Sequence, residues 1–320
     1  MNFRIYLCVS MRFFLAILSL CYFLPVPGQS ALDSTRHGYT RGKAGLMLKR
    51  GWDLSNTPGS GHYRQADKNA EMLKLPEEAI NFVPVFSDEF DSLNTNIWQI
   101  GQPWGRYHGQ QPHQYYGDSE VFVKNGVLFL QNRYAPKMFP SGDSSITIPY
   151  GTGLINTAHT RTFQYGFFAI RSKNPSGLAT WPAFWLTGKN NWPPEIDIFE
   201  MYGKKTGKSI HRQTMTLHFG KIETQTKTHL MKAVNLSPDT DSAFHIYACL
   251  WTADKVVFYT DGVPVRQIRM NKWMRQFYQE PMYMVVNNAV DHRYLAYLNN
   301  SRLPVSMEVD WIRVYADPKP

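Results

Sequence analysis

Between residues 83 and 315 the chain divides into a dozen short runs rich in β-branched and aromatic residues, with almost no helical pattern between them. The runs fall at 121–123, 127–132, 153–157, 163–172, 184–186, 195–200, 214–219, 244–252, 255–260, 263–269, 282–287 and 307–315. Turn formers separate them, and Asn125-Gly126 and Asp261-Gly262 have the composition of tight hairpins. A succession of strands joined by short turns must bury one face of each sheet against another sheet. The reading is therefore all-β, a two-sheet sandwich. With 43% hydrophobic and 18% charged residues in 320, the chain has ample material for that core.

One run is chemically unlike the others. Glu195-Ile196-Asp197-Ile198-Phe199-Glu200 alternates acids with apolar residues, as a strand with one buried face does. Glu195 and Asp197 are two apart and leave the same face. Glu200 is five from Glu195, so a regular strand turns it to the opposite layer. A β-bulge near Ile198 and Phe199 inserts one residue and returns Glu200 to the face of the other two. Two carboxyls leaning together across an aspartate suit retaining glycosidase chemistry, with one group as nucleophile and the other as acid/base. The bare pattern also fits a solvated acidic face or a calcium site. The flanks favour a sugar cleft: aromatic residues bracket the acids at Trp181, Phe184, Trp185, Tyr202 and Phe219, and pyranose rings pack on aromatic faces.

Trp181-Pro182-Ala183-Phe184-Trp185-Leu186 followed by residues 195–200 closely resembles the signature of glycoside hydrolase family 16 in its bulged form. Further landmarks keep the family's order. They are Phe86-Ser87-Asp88-Glu89-Phe90-Asp91 with Trp98, Gln114-Tyr115-Tyr116, Phe244-His245-Ile246-Tyr247 to Trp251, Phe258 to Gly262, and Val309-Asp310-Trp311-Ile312-Arg313-Val314-Tyr315. The resemblance implies a concanavalin A-like jelly roll with a concave substrate cleft. It assigns Glu195 as nucleophile, Glu200 as general acid/base and Asp197 as their support, with no cofactor needed for catalysis. It places Trp181, Trp185, His218, Asn287, Trp104, Gln114 and Tyr116 along the substrate. His218 is expected near the acid/base, with a purely structural histidine as the alternative. Trp185 has core packing as its alternative. Asp291-His292 stands where relatives have Gly-Gly. A structural calcium ion is also implied, with Glu89 and Asp310 matching its side-chain ligands.

The implied activity is endo-acting, retaining cleavage of a β-linked polysaccharide, leaning to a laminarinase-like β-1,3-glucanase. A galactanase acting on agar, porphyran or carrageenan is the alternative, and a transglycosylase or a non-catalytic lectin on the same fold stand behind it. Net charge is +9, or about +7 once Arg4 and Arg12 are removed with a leader, which favours an anionic polysaccharide. No basic helix or nucleic-acid module is visible. Residues 1–30 read as an export signal, because the 12-residue apolar run from Phe13 to Leu24, ended by Pro25 and Pro27, is too short to span a bilayer. The expected protein is secreted and monomeric. Of three cysteines only Cys249 lies beyond the leader, in an apolar strand pattern, so it reads as a buried thiol. Residues 31–82, rich in Gly, Lys, Arg, Asn and Asp, read as an extension that wraps the sandwich or stays partly disordered. The catalytic domain is assigned to 83–320.

Overall fold

The computed structural model describes residues 73–318 apart from 108–111, 176, 178, 204–211 and 237–239. The leader at 1–30 and most of the extension lie outside the described residues. Sixteen strands run in order as β1 (Val83–Asp88), β2 (Gln99–Ile100), β3 (Gln114–Tyr116), β4 (Val121–Lys124), β5 (Val127–Ser141), β6 (Ser144–Asn156), β7 (Gly166–Lys173) and β8 (Thr180–Gly188), followed by β9 (Glu195–Glu200), β10 (Arg212–Phe219), β11 (Thr228–Asn235), β12 (His245–Trp251), β13 (Lys255–Thr260), β14 (Val263–Arg269), β15 (Met282–Val290) and β16 (Val305–Ala316).

One layer orders as β11-β10-β9-β8-β15-β6 and the other as β5-β16-β7-β12-β13-β14, with the long β5–β6 hairpin joining them. Neighbours on this path pair antiparallel, and the short β3 adds to β6 in parallel. The two inner faces share one core. Phe184, Leu186, Ile196, Ile198, Met215 and Leu217 of the first layer meet Phe168, Tyr247, Cys249, Trp251, Phe258 and Ile312 of the second. Phe199 and Tyr247 cross between the layers with ring centroids 4.7 Å apart. This is the expected two-sheet sandwich. Cys249 is a free, buried thiol in its middle, and burial pushes its pKa well up.

Both hairpin turns read from sequence form with left-handed backbone at the required positions. Asn125 and Gly126 have φ of 53° and 73°, and Asp261 and Gly262 have φ of 47° and 75°. The outer half of the β5–β6 arm and all of β11 were not among the expected strands. The arm carries Pro136 and Pro140, and β11 is a mixed run from which Leu230 and Val234 enter the core.

The second layer has its own outer cluster of Phe167, Ala169, Ile246, Ala248, Leu250, Val257, Tyr259 and Trp311. Leu73, Leu75, Ala79 and Phe82 cover it, with Ala79 fully buried, and Lys255 pairs with Glu78. The last ten residues of the polar stretch thus wrap the sandwich. Extending a deletion of residues 1–72 to residues 1–80 should therefore lower Tm by about 5–10 °C, from the apolar area uncovered. Equal melting of the two truncations would show that this cover contributes nothing.

Candidate active site

The acidic run is strand β9, and its register shows the bulge. Against β8, Thr187 faces Glu195, Trp185 faces Asp197 and Phe184 faces Phe199, so Ile198 has no partner. On the other side Thr216 faces Asp197 while Thr214 faces Glu200. Ile196, Ile198 and Phe199 all point into the core at 0% exposure. Two consecutive inward residues are what return Glu200 to the outer face. Along β8 and β15 the alternation stays regular. Trp181, Ala183 and Trp185 line the outer face with Asn287 and Ala289, while Phe184, Leu186, Met284 and Val286 enter the core.

The result is a cleft of about 220 Å³ over this layer. It brings together Gln114, Tyr116, Trp181, Trp185, Glu195, Asp197, Glu200 and Asn287, all singled out from sequence, and adds Gln102, Leu154, Ala183 and Ala289. Trp185 donates its indole N–H to Asn287 Oδ1 at 2.8 Å, and the Asn287 amide donates to the Trp181 carbonyl at 3.2 Å. Gln114 accepts from Val290 N at 2.7 Å, tying β3 to β15. Trp104 differs: it is 63% exposed on a turn beside Gln102 and does not line the cleft.

Each catalytic candidate has its own donors. Glu200 accepts from the Tyr202 hydroxyl at 2.6 Å, the Trp181 indole at 3.1 Å and Thr216 Oγ1 at 3.3 Å. Glu195 accepts from the Trp192 indole at 2.7 Å. His218 faces Glu195 in the β9–β10 register, with Nε2 3.2 Å from Asp197 and 3.4 Å from Glu195. It therefore stands directly across from Glu195, while Glu200 pairs with Thr214 four residues along β10 and still feels the charge of His218. Beneath them the buried Tyr278 hydroxyl donates to the His218 carbonyl at 2.9 Å and the Glu195 carbonyl at 3.3 Å. Trp192 and Tyr278 were missed in the sequence. Trp192 had a signal, standing three residues before Glu195 with two prolines between.

Burial raises all three carboxyls. Glu195 lies well above its ordinary 4.5, through burial first and the charge of Asp197 second, with His218 and Trp192 opposing. Asp197 lies well above 3.8 through burial and Glu200, opposed by hydrogen bonds with Glu195 and Thr216. Glu200 is raised by burial, with Tyr202, His218, Trp181 and Thr216 opposing. The sequence reading had one carboxyl of the pair rising. Here desolvation raises the whole cluster.

A sign follows for stability. A carboxyl whose pKa rises on folding binds more protons folded than unfolded, so stability falls as pH climbs above its ordinary value. Glu195→Gln and Asp197→Asn should each raise Tm at pH 7, and the gain should vanish near pH 4. Melting curves of both variants across that range check it; a Tm below wild type at pH 7 would contradict the burial cost.

Glu195, Asp197 and His218 have donor atoms within 4.8 Å of one another, a grouping that resembles a metal site. One imidazole nitrogen, His218 Nε2, lies at ion-pair distance from both carboxylates, while Asp197 Oδ2 and His218 Nδ1 make no hydrogen bond among the described residues. The side chains expected to bind calcium do not fit that role as they stand. Glu89 is held by both arms of the Arg313 guanidinium at 2.9 and 2.8 Å, which lowers its pKa, and Asp310 is paired with Arg171. Each carboxylate already faces a cation, and Arg313 feels the charge of both.

The family described as Beta-porphyranase A-D, GH16 domain, matches residues 81–316. The chain belongs to glycoside hydrolase family 16. Among its relatives, endo-1,3-1,4-beta-glycanase EglC of Rhizobium meliloti is 26% identical, over 84% of this chain and 61% of that protein. Glucan endo-1,3-beta-glucosidase A1 of Niallia circulans is also 26% identical, over 73% of this chain and 38% of its own length. The chain spans about half the length of these curated relatives. The laminarinase catalytic domain of Thermotoga maritima superposes with a TM-score of 0.61 at 28% identity, covering 74% of this chain and 99% of that one. The sandwich is thus the jelly roll of this family. Among the described residues no helix is long and apolar enough to cross a membrane.

Proposed function

We propose that the protein is a retaining endo-β-glycosidase acting on a β-linked polysaccharide. The observation that carries this reading is the bulge at Ile198, which sets Glu195, Asp197 and Glu200 on one face of an aromatic-lined cleft. Glu195 attacks the anomeric carbon while Glu200 passes its proton to the departing glycosidic oxygen. Water then enters from the leaving-group side, Glu200 takes its proton, and the Glu195 ester is released with a second inversion. Asp197 holds Glu195 by a hydrogen bond and makes no bond to the sugar.

For the substrate we propose a sulfated galactan of the porphyran type. Its support is the family match over the whole sandwich, the net charge of +9, and a rim near Val290 that carries His113, His292 and the half-exposed Arg293. The second reading is a β-1,3-glucan, favoured by the names of the curated relatives and toward which the sequence alone leans. Export, through a leader at 1–30, belongs to the same proposal. Reducing-end release should be measured on porphyran, agarose, carrageenans, laminarin and lichenan in parallel. The proposal expects the highest rate on porphyran; a higher rate on laminarin would select the glucan reading, and no release from any would remove both.

A further inference from the structure

The two catalytic candidates share a feature that their sequence positions hide. Each accepts a hydrogen bond from an aromatic ring, and each of those rings carries a cation on its face. Trp192 donates to Glu195 Oε2 at 2.7 Å, and Lys227 Nζ lies 3.9 Å from the Trp192 ring centroid. Tyr202 donates to Glu200 Oε1 at 2.6 Å, and the Arg293 guanidinium lies 4.7 Å from the Tyr202 centroid. The same guanidinium is 5.7 Å from Trp181, the second donor to Glu200, and the Trp181 and Tyr202 rings pack 5.2 Å apart. Arg293 is fixed in place by a fork to Asp291, with Nε and Nη2 at 2.8 and 2.7 Å from the two carboxylate oxygens. Asp291 is fully buried while Arg293 is half exposed.

A cation over a π face draws electron density from the ring. An indole N–H or phenol O–H on that ring becomes a stronger donor, and hydrogen bonds in series reinforce one another. A stronger donor favours the ionised carboxylate that accepts from it. We infer that Lys227 and Arg293 are positioning residues that separately set the protonation of Glu195 and Glu200, acting through Trp192 and through Tyr202 with Trp181. Neither cation needs to touch the substrate. The inference rests on the retaining reading above for the roles of the two glutamates.

Other groups face the same carboxyls and stay constant in the comparison. Glu195 is faced by Asp197, His218, Tyr278, Tyr283 and, more weakly, Glu200. Glu200 is faced by Asp197, His218 and Thr216 besides its aromatic donors. Arg293 is faced by Asp291, Tyr202 and Tyr294.

The two cations should act on opposite limbs of the pH profile of kcat/KM. Removing the charge at Lys227 weakens the donor to Glu195, so the nucleophile ionises later and the acidic limb moves up. Removing it at Arg293 weakens the donors to Glu200, so the acid keeps its proton longer and the alkaline limb moves up. Lys227→Met should therefore narrow the bell and Arg293→Met should widen it, each by about 0.5 in pH. Lys227→Arg, which keeps the charge, should leave the limb where it is in the wild type. A merely structural role would lower the rate without moving either limb in this pattern. Titration of 13C-glutamate-labelled protein by NMR, with Glu195→Gln and Glu200→Gln to assign the two signals, reads the same shifts without turnover. A chain that hydrolyses no substrate would remove the functional reading and leave this titration to decide. Unmoved Glu195 and Glu200 titrations in the two Met variants, or both variants moving the same carboxyl, would overturn the inference.

Discussion

Glu195→Gln is expected to lower turnover by about 10⁴-fold or more, because it removes the atom that forms the covalent intermediate and no binding contact replaces it. Glu200→Gln should cost about 10²–10⁴-fold, the usual range for a lost general acid/base. Both changes keep the side-chain volume. In each, the glutamine carbonyl oxygen can still accept, from Trp192 at 195 and from Tyr202 at 200. Circular dichroism should be unchanged in each. Initial rates on whichever polysaccharide the panel selects, set against wild type, measure the loss. A variant retaining more than a tenth of wild-type turnover would move the chemistry away from that carboxyl.

Phe199→Ala should have the largest effect on stability, about 3–5 kcal/mol. The ring is fully buried and is packed on Tyr247 of the opposite layer at 4.7 Å. It is also the second of the two consecutive inward residues that form the bulge, so its loss loosens the strand next to Glu200. For a domain of this size the expected fall in Tm is about 10 °C. Thermal denaturation with and without the substitution checks it. A fall of only a degree or two would mean that the bulge is held by its neighbours and not by this ring.

The central strand was legible because its chemistry and its period disagree. Three acids among apolar residues need a common face, an odd spacing forbids it, and only one extra residue resolves the conflict. The register against β8 shows that residue to be Ile198, and the register against β10 shifts in the same place, between Asp197 and Glu200. The turns at Asn125-Gly126 and Asp261-Gly262 were legible because few other residues accept a positive φ. The cleft residues of β8 and β15 followed from alternation. The sequence could not place His218 between Glu195 and Asp197, since that contact is made across the β9–β10 pairing. It could not show that Glu89 and Asp310 face arginines, because Arg313 and Arg171 reach them across strands. Nor could it show cations on the faces of Trp192 and Tyr202, because Lys227 and Arg293 arrive from distant segments. Contacts made by side chains across the fold leave no periodic trace.

The account stands on Glu195 and Glu200 acting together from one face of β9. On the retaining reading Glu195 attacks the sugar directly, and the reaction passes through a glycosyl-enzyme with net retention. Proton NMR in the first minutes of digestion, before mutarotation, reads the configuration of the new reducing end. The account predicts the β-anomer first, decaying to the equilibrium mixture. The α-anomer appearing first would mean an inverting reaction and would contradict both the paired roles and the geometry from which they were derived.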